Sequence, residues 1–408
     1  MLWMREAFSR IRKDAAPGVD GMTVKEYAKN LEANLADLLE RAKSGRYRSL
    51  PTRRVRIPKN EKETRPISIP ALEDKVLQRA VAMLLEPIYE IDFLDCSYGF
   101  RPRRSPHQAL DAVRACLKET NGGWVVDVDI RQYFDSIPHA QLMELLRKRV
   151  NDSVVLRLIA KWLKAGAMDG DELVISEKGT PQGGVISPIL SNIYLHSVLD
   201  VWFEQEVKPR LRGTGRLVRF ADDFVMVFKN LGDAHRVLEV LPKRFGKYGL
   251  EIHPDKTKLV DFLHPWDSGR KPETFDFLGF THYWGKTRKG GNAIKKKTGS
   301  KKKRAALKKM GEWCKKNRHR PMAWQYAAIC QKLQGHYAYY GVTGNGASIS
   351  EFRYQVLRIW RYWLNRRSRK RNGMKWNRFS VLLDTVYRVP YAHIVHKAPT
   401  SVQLCMIV

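Results

Sequence analysis

Apolar residues recur along the chain at two spacings, and the spacings predict its elements. Between Val24 and Lys43, Leu31, Leu35, Leu38 and Leu39 share one face at helical period. Arg53 to Pro58 and Ile67 to Pro70 alternate as strands do, and the polar stretch Lys59 to Thr64 joins them as a hairpin loop. Helices are predicted over 71–90 and 105–120. The β-branched run from Trp124 to Ile130 reads as a buried strand. Ser136-Ile137-Pro138 opens a helix reaching Val150, with Ser136 or Asp135 as its cap and proline in its first turn. A helix over 153–165 follows. A Gly/Pro-punctuated stretch from Lys178 to Ser187 then leads into a helix over 188–208. Arg216 to Lys229 reads as two strands hinged at Ala221-Asp222-Asp223, with a helix over 232–249 and a strand from Phe275 to Tyr283 after it.

Beyond that strand the pattern changes. Gly285 to Lys303 is rich in Gly and Lys with hardly an apolar residue, which predicts a solvated linker or a loop that orders on a phosphate backbone. Residues 304–371 are expected to be helical throughout, with Trp313, Trp324, Tyr326, Leu333, Tyr337, Trp360 and Trp363 recurring. No internal repeat is evident. A mixed α and β part followed by a basic helical tail suggests a catalytic domain and then an RNA-gripping one.

Charge sharpens this division. The 408 residues hold 74 Lys and Arg against 42 Asp and Glu, a net +32. From Gly285 onward there are 29 basic residues and 3 acidic ones. A field of that density is self-repelling unless an anion offsets it, and a polyphosphate backbone is the natural anion. An acidic membrane surface is the rival, but the basic region has neither a clean amphipathic helix nor a lipidation signal. No apolar run is long enough to span a bilayer, and Met1 to Lys13 lacks the apolar centre of a secretory signal, so a soluble cytoplasmic protein is expected. The cysteines at 96, 116, 314, 330 and 405 are odd in number and unpaired in spacing, which excludes a disulfide framework and a zinc ribbon.

Candidate chemistry lies in three places. At Phe220-Ala221-Asp222-Asp223, two carboxylates stand at a tight turn whose flanks are strand-like and apolar. Such a turn lifts acids above a buried sheet, as a magnesium site requires, since hard cations want oxygen ligands. Asp127 and Asp129 end a buried strand and share one of its faces by alternation. Asp129 is the expected third ligand of a two-metal clamp, with Asp127 structural. Gly179-Thr180-Pro181-Gln182-Gly183-Gly184 offers backbone that can approach a bulky ligand closely, with one amide side chain among its glycines.

These residues resemble, in order, the motifs of the reverse transcriptase and maturase proteins of bacterial group II introns, over about residues 8 to 395. Gly18-Val-Asp-Gly21 is similar to that family's N-terminal extension. Arg65-Pro-Ile-Ser-Ile-Pro70 and Ser97-Tyr-Gly-Phe-Arg-Pro102 resemble its finger motifs. Asp129-Ile-Arg-Gln-Tyr-Phe134-Asp looks like motif A, Thr180 to Gly184 like motif B, and Phe220 to Asp223 like motif C, where tyrosine is more usual first. His253-Pro-Asp-Lys256-Thr-Lys258 resembles motif D, and Phe277-Leu-Gly-Phe280 the primer grip.

The resemblance implies an α+β right-hand polymerase: an N-terminal extension over 1–48, fingers and palm over 49–284, the basic linker over 285–303, and a helical thumb or maturase domain over 304–408. It implies that Asp129, Asp222 and Asp223 bind two Mg²⁺ ions, and that Lys59 and Arg65 meet the dNTP triphosphate. Phe134 would exclude a ribose 2′-hydroxyl, Gln182 would pack near the templating base, and Lys256 would protonate pyrophosphate, with Lys258 competing for that role. Arg361, Arg366, Arg367, Arg369, Lys370 and Arg371 would bind structured intron RNA, while Trp360 and Trp363 are expected in the helical core. Expected partners are an RNA template, intron RNA, a DNA primer or target, and dNTPs.

The sequence ends within about a dozen residues of His396, so no C-terminal nuclease of the kind some relatives carry is expected, and integration would borrow a DNA primer, as at a replication fork. The extension before the first motif is short. Competing readings are a domesticated relative in phage defence, spacer acquisition or DNA repair, and a non-catalytic RNA-binding splicing factor, against which the three acids count. An RNA-templated RNA polymerase would lack an aromatic gate at Phe134.

Overall fold

The computed structural model describes residues 1–58, 63–180, 183–265, 271–287, 289–367 and 373–397. Its strands are β1 (Thr52–Pro58), β2 (Thr64–Ile69), β3 (Trp124–Val128), β4 (Ala167–Asp169), β5 (Glu172–Val174), β6 (Gly215–Phe220), β7 (Asp223–Phe228), β8 (Lys258–Asp261), β9 (Phe275–Phe277), β10 (Phe280–Lys286) and β11 (Asn292–Thr298). The chain divides into two units, Met1–Ala109 with Trp124–Leu259 and Leu110–Gly123 with Val260–Val408. Among the described residues no helix is long and apolar enough to cross a membrane.

The first unit is α+β, as the spacing predicts. Its finger hairpin pairs β1 antiparallel with β2, Arg53 opposite Ile69 and Ile57 opposite Arg65, and β4 and β5 extend the sheet from β1. Gly18 explains its place in the N-terminal motif, since a Cβ there would lie 2.5 Å from the Ala71 Cα. Around it, Arg53 and Lys75 donate to the carbonyls of Pro17 and Ala16. The second sheet sets β7 between β6 and β3, both antiparallel to it. Its strands are nearly all apolar and bury against a core that includes Leu142, Ile159, Leu190, Phe203, Phe224 and Val237. Leu35 and Leu38 of the helix Leu31–Ser44 join that core, with Leu31 and Leu39 half-buried beside them.

One local expectation is corrected here. Neither Ser136 nor Asp135 caps a helix: both lie in the short helix Tyr133–Ser136, and the next helix begins at His139 with Pro138 at its N-cap. Proline has no N–H to donate and so ends one helix and begins the next without a side-chain cap.

In the second unit, β10 pairs with both β9 and β11. Helices Ser300–Asn317, Met322–Tyr340, Gly346–Leu364 and Trp376–Thr385 enclose a core that includes Ile329, Leu333, Tyr337, Val356, Trp360 and Phe379. The stretch 285–303, expected as a linker, is instead the end of β10, all of β11 and the start of a helix. Ile294, Lys296 and Thr298 alternate inward at strand period. The buried Lys296 is held by Asp111, 3.0 Å away, so a lysine that sequence alone reads as solvated occupies a buried position. Trp360 is fully buried and donates to the Gln325 amide oxygen, and Trp363 packs half-buried against the same core, as expected of both.

Candidate active site and nucleic-acid interface

The β6–β7 connection is a two-residue turn. Phe220 pairs with Asp223, leaving Ala221 and Asp222 between them. Ala221 sits in the left-handed region at φ 58°, a conformation that costs a residue with a Cβ roughly 1–2 kcal/mol. Beside the turn, Val128 of β3 pairs with Phe224 of β7. The same register extended by one residue brings Asp129 level with Asp223. Asp129 therefore stands beside the Ala221-Asp222 turn, at the same end of the two inner strands of the sheet.

Asp222 is half-buried, and burial pushes its carboxyl above the usual range. A backbone hydrogen bond, Arg65 and Arg219 pull it back, while Asp129 adds to the rise. Asp129 and Asp222 thus repel each other, and Arg65 of β2 lies within electrostatic reach. Asp223 is exposed.

The segment after Gly249 is tied to Asp129 at two levels. His253 N donates to the Asp129 carbonyl at 2.8 Å, and Lys256 Nζ donates to Asp129 Oδ2 at 2.9 Å. Among the described residues no three His, Cys, Asp or Glu side chains form a ready metal cage. The donor chemistry nonetheless fits a hard divalent cation. Magnesium takes one or two carboxylates and completes its shell with water and substrate phosphates, so a closed protein cage is not required.

Motif A and motif B are bound to each other through backbone. Thr180 N donates to Phe134 O at 2.7 Å and Gly179 N to Ile137 O at 2.8 Å. Phe134 is half-buried, edge-on to Tyr133, whose hydroxyl donates to the Ser191 carbonyl. The close approach expected of the glycines is made by Gly183 (φ 104°) to protein: a Cβ there would stand 2.8 Å from the Ser68 carbonyl oxygen of β2. Lys59 and Gln182 lie outside the described residues, as do Arg369, Lys370 and Arg371. A cavity of about 380 Å³ lies beside motifs A and B, lined in part by Arg54, Gln132, Asp135 and Thr180, and neither Asp129 nor Asp222 lines it.

What the sequence missed is the support beneath the turn. Arg219 is fully buried and forms a bidentate pair with Asp200, also fully buried, at 2.7 and 2.5 Å. The motif Ser97-Tyr-Gly-Phe-Arg-Pro102 contributes Ser97 to the same network and is itself held by Arg101, which pairs with Glu90 and donates to the Leu94 and Ser97 carbonyls.

Residues 57–282 match the family model described as reverse transcriptase (RNA-dependent DNA polymerase). The chain belongs to the reverse transcriptase family. It is 37% identical over 297 residues to Protein YkfC of Escherichia coli (strain K12), covering 63% of this chain and 76% of that protein. It is also 40% identical over 188 residues to the group II intron-encoded protein LtrA of Lactococcus lactis subsp. cremoris, covering 44% of this chain but 31% of LtrA. A solved telomerase from Candida albicans, in complex with a fragment of telomeric RNA, aligns at TM-score 0.46 and 13% identity, covering 89% of this chain and 65% of that one. By family the chain is a reverse transcriptase, an RNA-directed DNA polymerase, so RNA is its template. Reverse transcriptases work with divalent metal ions.

In the second unit the expected RNA-binding arginines divide. Arg361 is half-buried, donating to the Met374 carbonyl and lying over the Trp376 ring. Arg367 donates to the carbonyls of Arg318 and Arg320, at the end of the helix Ser300–Asn317. Arg366 is exposed, 4.3 Å from the Tyr362 ring centroid. It closes a stripe the sequence reading did not resolve: Tyr354, Arg358, Tyr362 and Arg366 follow at four-residue steps along the exposed face of Gly346–Leu364 and just past its end. Arg358 lies over Tyr354 as Arg366 lies over Tyr362. The signal was present as period, but it was hidden among the buried residues of the same helix.

Proposed function

We propose that the protein extends a DNA primer on an RNA template with dNTPs, and that two magnesium ions held by Asp129, Asp222 and Asp223 support the reaction. The observation that carries this is the strand register that sets Asp129 beside the Ala221-Asp222 turn, within a chain of this family. Two carboxylates held together against their own repulsion favour a cation between them. When bound, the divalent ions would ease deprotonation of the primer 3′-hydroxyl and offset charge on the triphosphate.

The chain's own residues supply the rest. Arg65, exposed on β2 and felt by Asp222, offers a guanidinium to the triphosphate, and Lys59 is proposed beside it. Phe134 excludes a ribose 2′-hydroxyl with its ring, and Gln182 is assigned to the templating base. Lys256, once drawn off Asp129, donates a proton to the departing pyrophosphate.

The second part of the proposal is that the helical unit grips structured intron RNA and so assists splicing and retrohoming. The Tyr354–Arg366 stripe supports it, because aromatic faces stack on unpaired bases while arginines meet phosphates.

Primer extension on an RNA template, comparing wild type with Asp222→Ala/Asp223→Ala at moderate salt, tests the central claim. Synthesis abolished with RNA binding intact is the expected result. A well-folded wild type that extends nothing would overturn it and leave an RNA-binding splicing factor as the reading.

A further inference from the structure

Beneath the turn bearing Asp222 lies a closed polar network in an otherwise apolar core. Arg219 spends every nitrogen of its guanidinium: Nε and Nη2 on Asp200, Nη2 also on Ser97 Oγ at 2.7 Å, and Nη1 on Asn192 Oδ1 and the Ala221 carbonyl, each at 3.0 Å. Asn192 in turn donates to the Gly99 carbonyl at 2.7 Å. Gly99 packs directly against the turn, where a Cβ would stand 2.3 Å from Ala221 N. The turn is thus held through the Ala221 carbonyl by Arg219, with Gly99 packed close against the Ala221 backbone. Asp200 stands in a stretch, His196–Asp200, where the helix after Ser187 widens to π-type hydrogen bonding. Such widenings are frequent at functional sites.

A buried ion pair is a poor way to stabilise a fold, because apolar side chains of similar volume serve as well or better. Its members are also mutually neutral, so the pair does little to discharge Asp222. What it does provide is directional bonds to a turn whose Ala221 is in an unfavourable conformation.

We propose that Arg219 and Asp200, with Asn192 and Ser97, are positioning residues that fix the Ala221-Asp222 turn so that Asp222 presents its carboxylate to a divalent cation opposite Asp129. The inference rests on the assignment of Asp129 and Asp222 as cation ligands. Manganese, followed by electron paramagnetic resonance, serves as the probe cation.

Arg219→Met/Asp200→Val replaces the pair with apolar side chains, and thermal melting reports whether it folds. The expected result is a folded protein that binds manganese about 10-fold or more weakly, with kcat reduced in step and KM for template–primer unchanged. Arg219→Lys keeps the charge but loses the fork that reaches Ala221, and the same loss is expected of it. If the double variant does not fold, Asn192→Ala decides, since it leaves the ion pair in place and cuts the link to Gly99. A folded variant of either kind that binds manganese as wild type does would overturn the inference. Wild type that neither binds manganese nor extends primers would sink the polymerase reading instead, a separate and recognisable outcome.

Discussion

Lys256 Nζ lies 2.9 Å from Asp129 Oδ2, across 127 residues of sequence. Both side chains are partly exposed, so the pair is worth at most about 1 kcal/mol. It keeps a proposed proton donor beside a proposed cation ligand.

Lys256→Met therefore separates two effects. Manganese affinity without nucleotide is expected to rise about 2- to 5-fold, because Asp129 no longer has a competing cation. The single-turnover rate of primer extension is expected to fall at least about 10-fold, with the proton donor gone. A rate equal to wild type's would remove Lys256 from the chemistry.

Phe134 is half-buried with its backbone carbonyl fixed by Thr180 N. Phe134→Ala opens space without loosening that bond. Discrimination against ribonucleotides is expected to drop roughly 10- to 100-fold, read from kcat/KM ratios for dNTP and NTP on one template. Unchanged discrimination would make Phe134 a plain core aromatic.

The aromatic and arginine stripe makes distinct predictions for its two kinds of member. Tyr362→Ala is expected to weaken binding of structured RNA by about 1–3 kcal/mol with the salt dependence unchanged. Arg366→Ala should instead lower the salt slope by about one. Arg367→Ala is expected to act on stability, since that side chain bonds the carbonyls of Arg318 and Arg320. Binding isotherms at several salt concentrations, with thermal melts beside them, check all three.

One buried and one half-buried histidine set a pH dependence in the second unit. Burial lowers His282 to about 3, with Lys296 pressing the same way, and burial lowers His336 to about 4, both from 6.5. A depressed folded value means the unfolded chain binds the proton first. The contribution is complete above pH 6.5 and is lost as pH falls toward the folded values, by up to about 1.4 kcal/mol per pH unit per group. Melting temperatures should decline from pH 7.5 to 5, and less so in His336→Phe, whose ring can keep the stack on Phe352.

Asp111 neutralises Lys296 inside the second unit. Asp111→Asn leaves a buried ammonium without its partner and is expected to cost about 3 kcal/mol, seen as a lower urea midpoint. Asp111→Asn/Lys296→Met should recover most of it.

Local period made much of this molecule legible in its sequence. The hinge at Ala221-Asp222-Asp223, the strand ending at Asp129 and the leucine face of Leu31–Ser44 all depend on neighbours a few residues away. The rest was hidden because its partners are remote. Lys296 belongs to a strand only because Asp111, 185 residues earlier, makes it buriable. Arg219 reads as a charge on a strand, and nothing near it in sequence announces Asp200 or Ser97. Gly99 looks like any loop glycine until the backbone of Ala221 lies against it.

The grip on Ala221 also sets a timetable. Ser97 leaves the ribosome 122 residues before Arg219, a gap of roughly ten seconds at ordinary synthesis rates. Through that interval the loop that will press on the turn has nothing to press on, and Asp200 has no cation to meet. Burying the guanidinium needs Ser97, Asp200 and Arg219 together, so this network cannot close before Arg219 has been made. A nascent chain short of Asp223 accordingly lacks two of the three proposed ligands and the support beneath them.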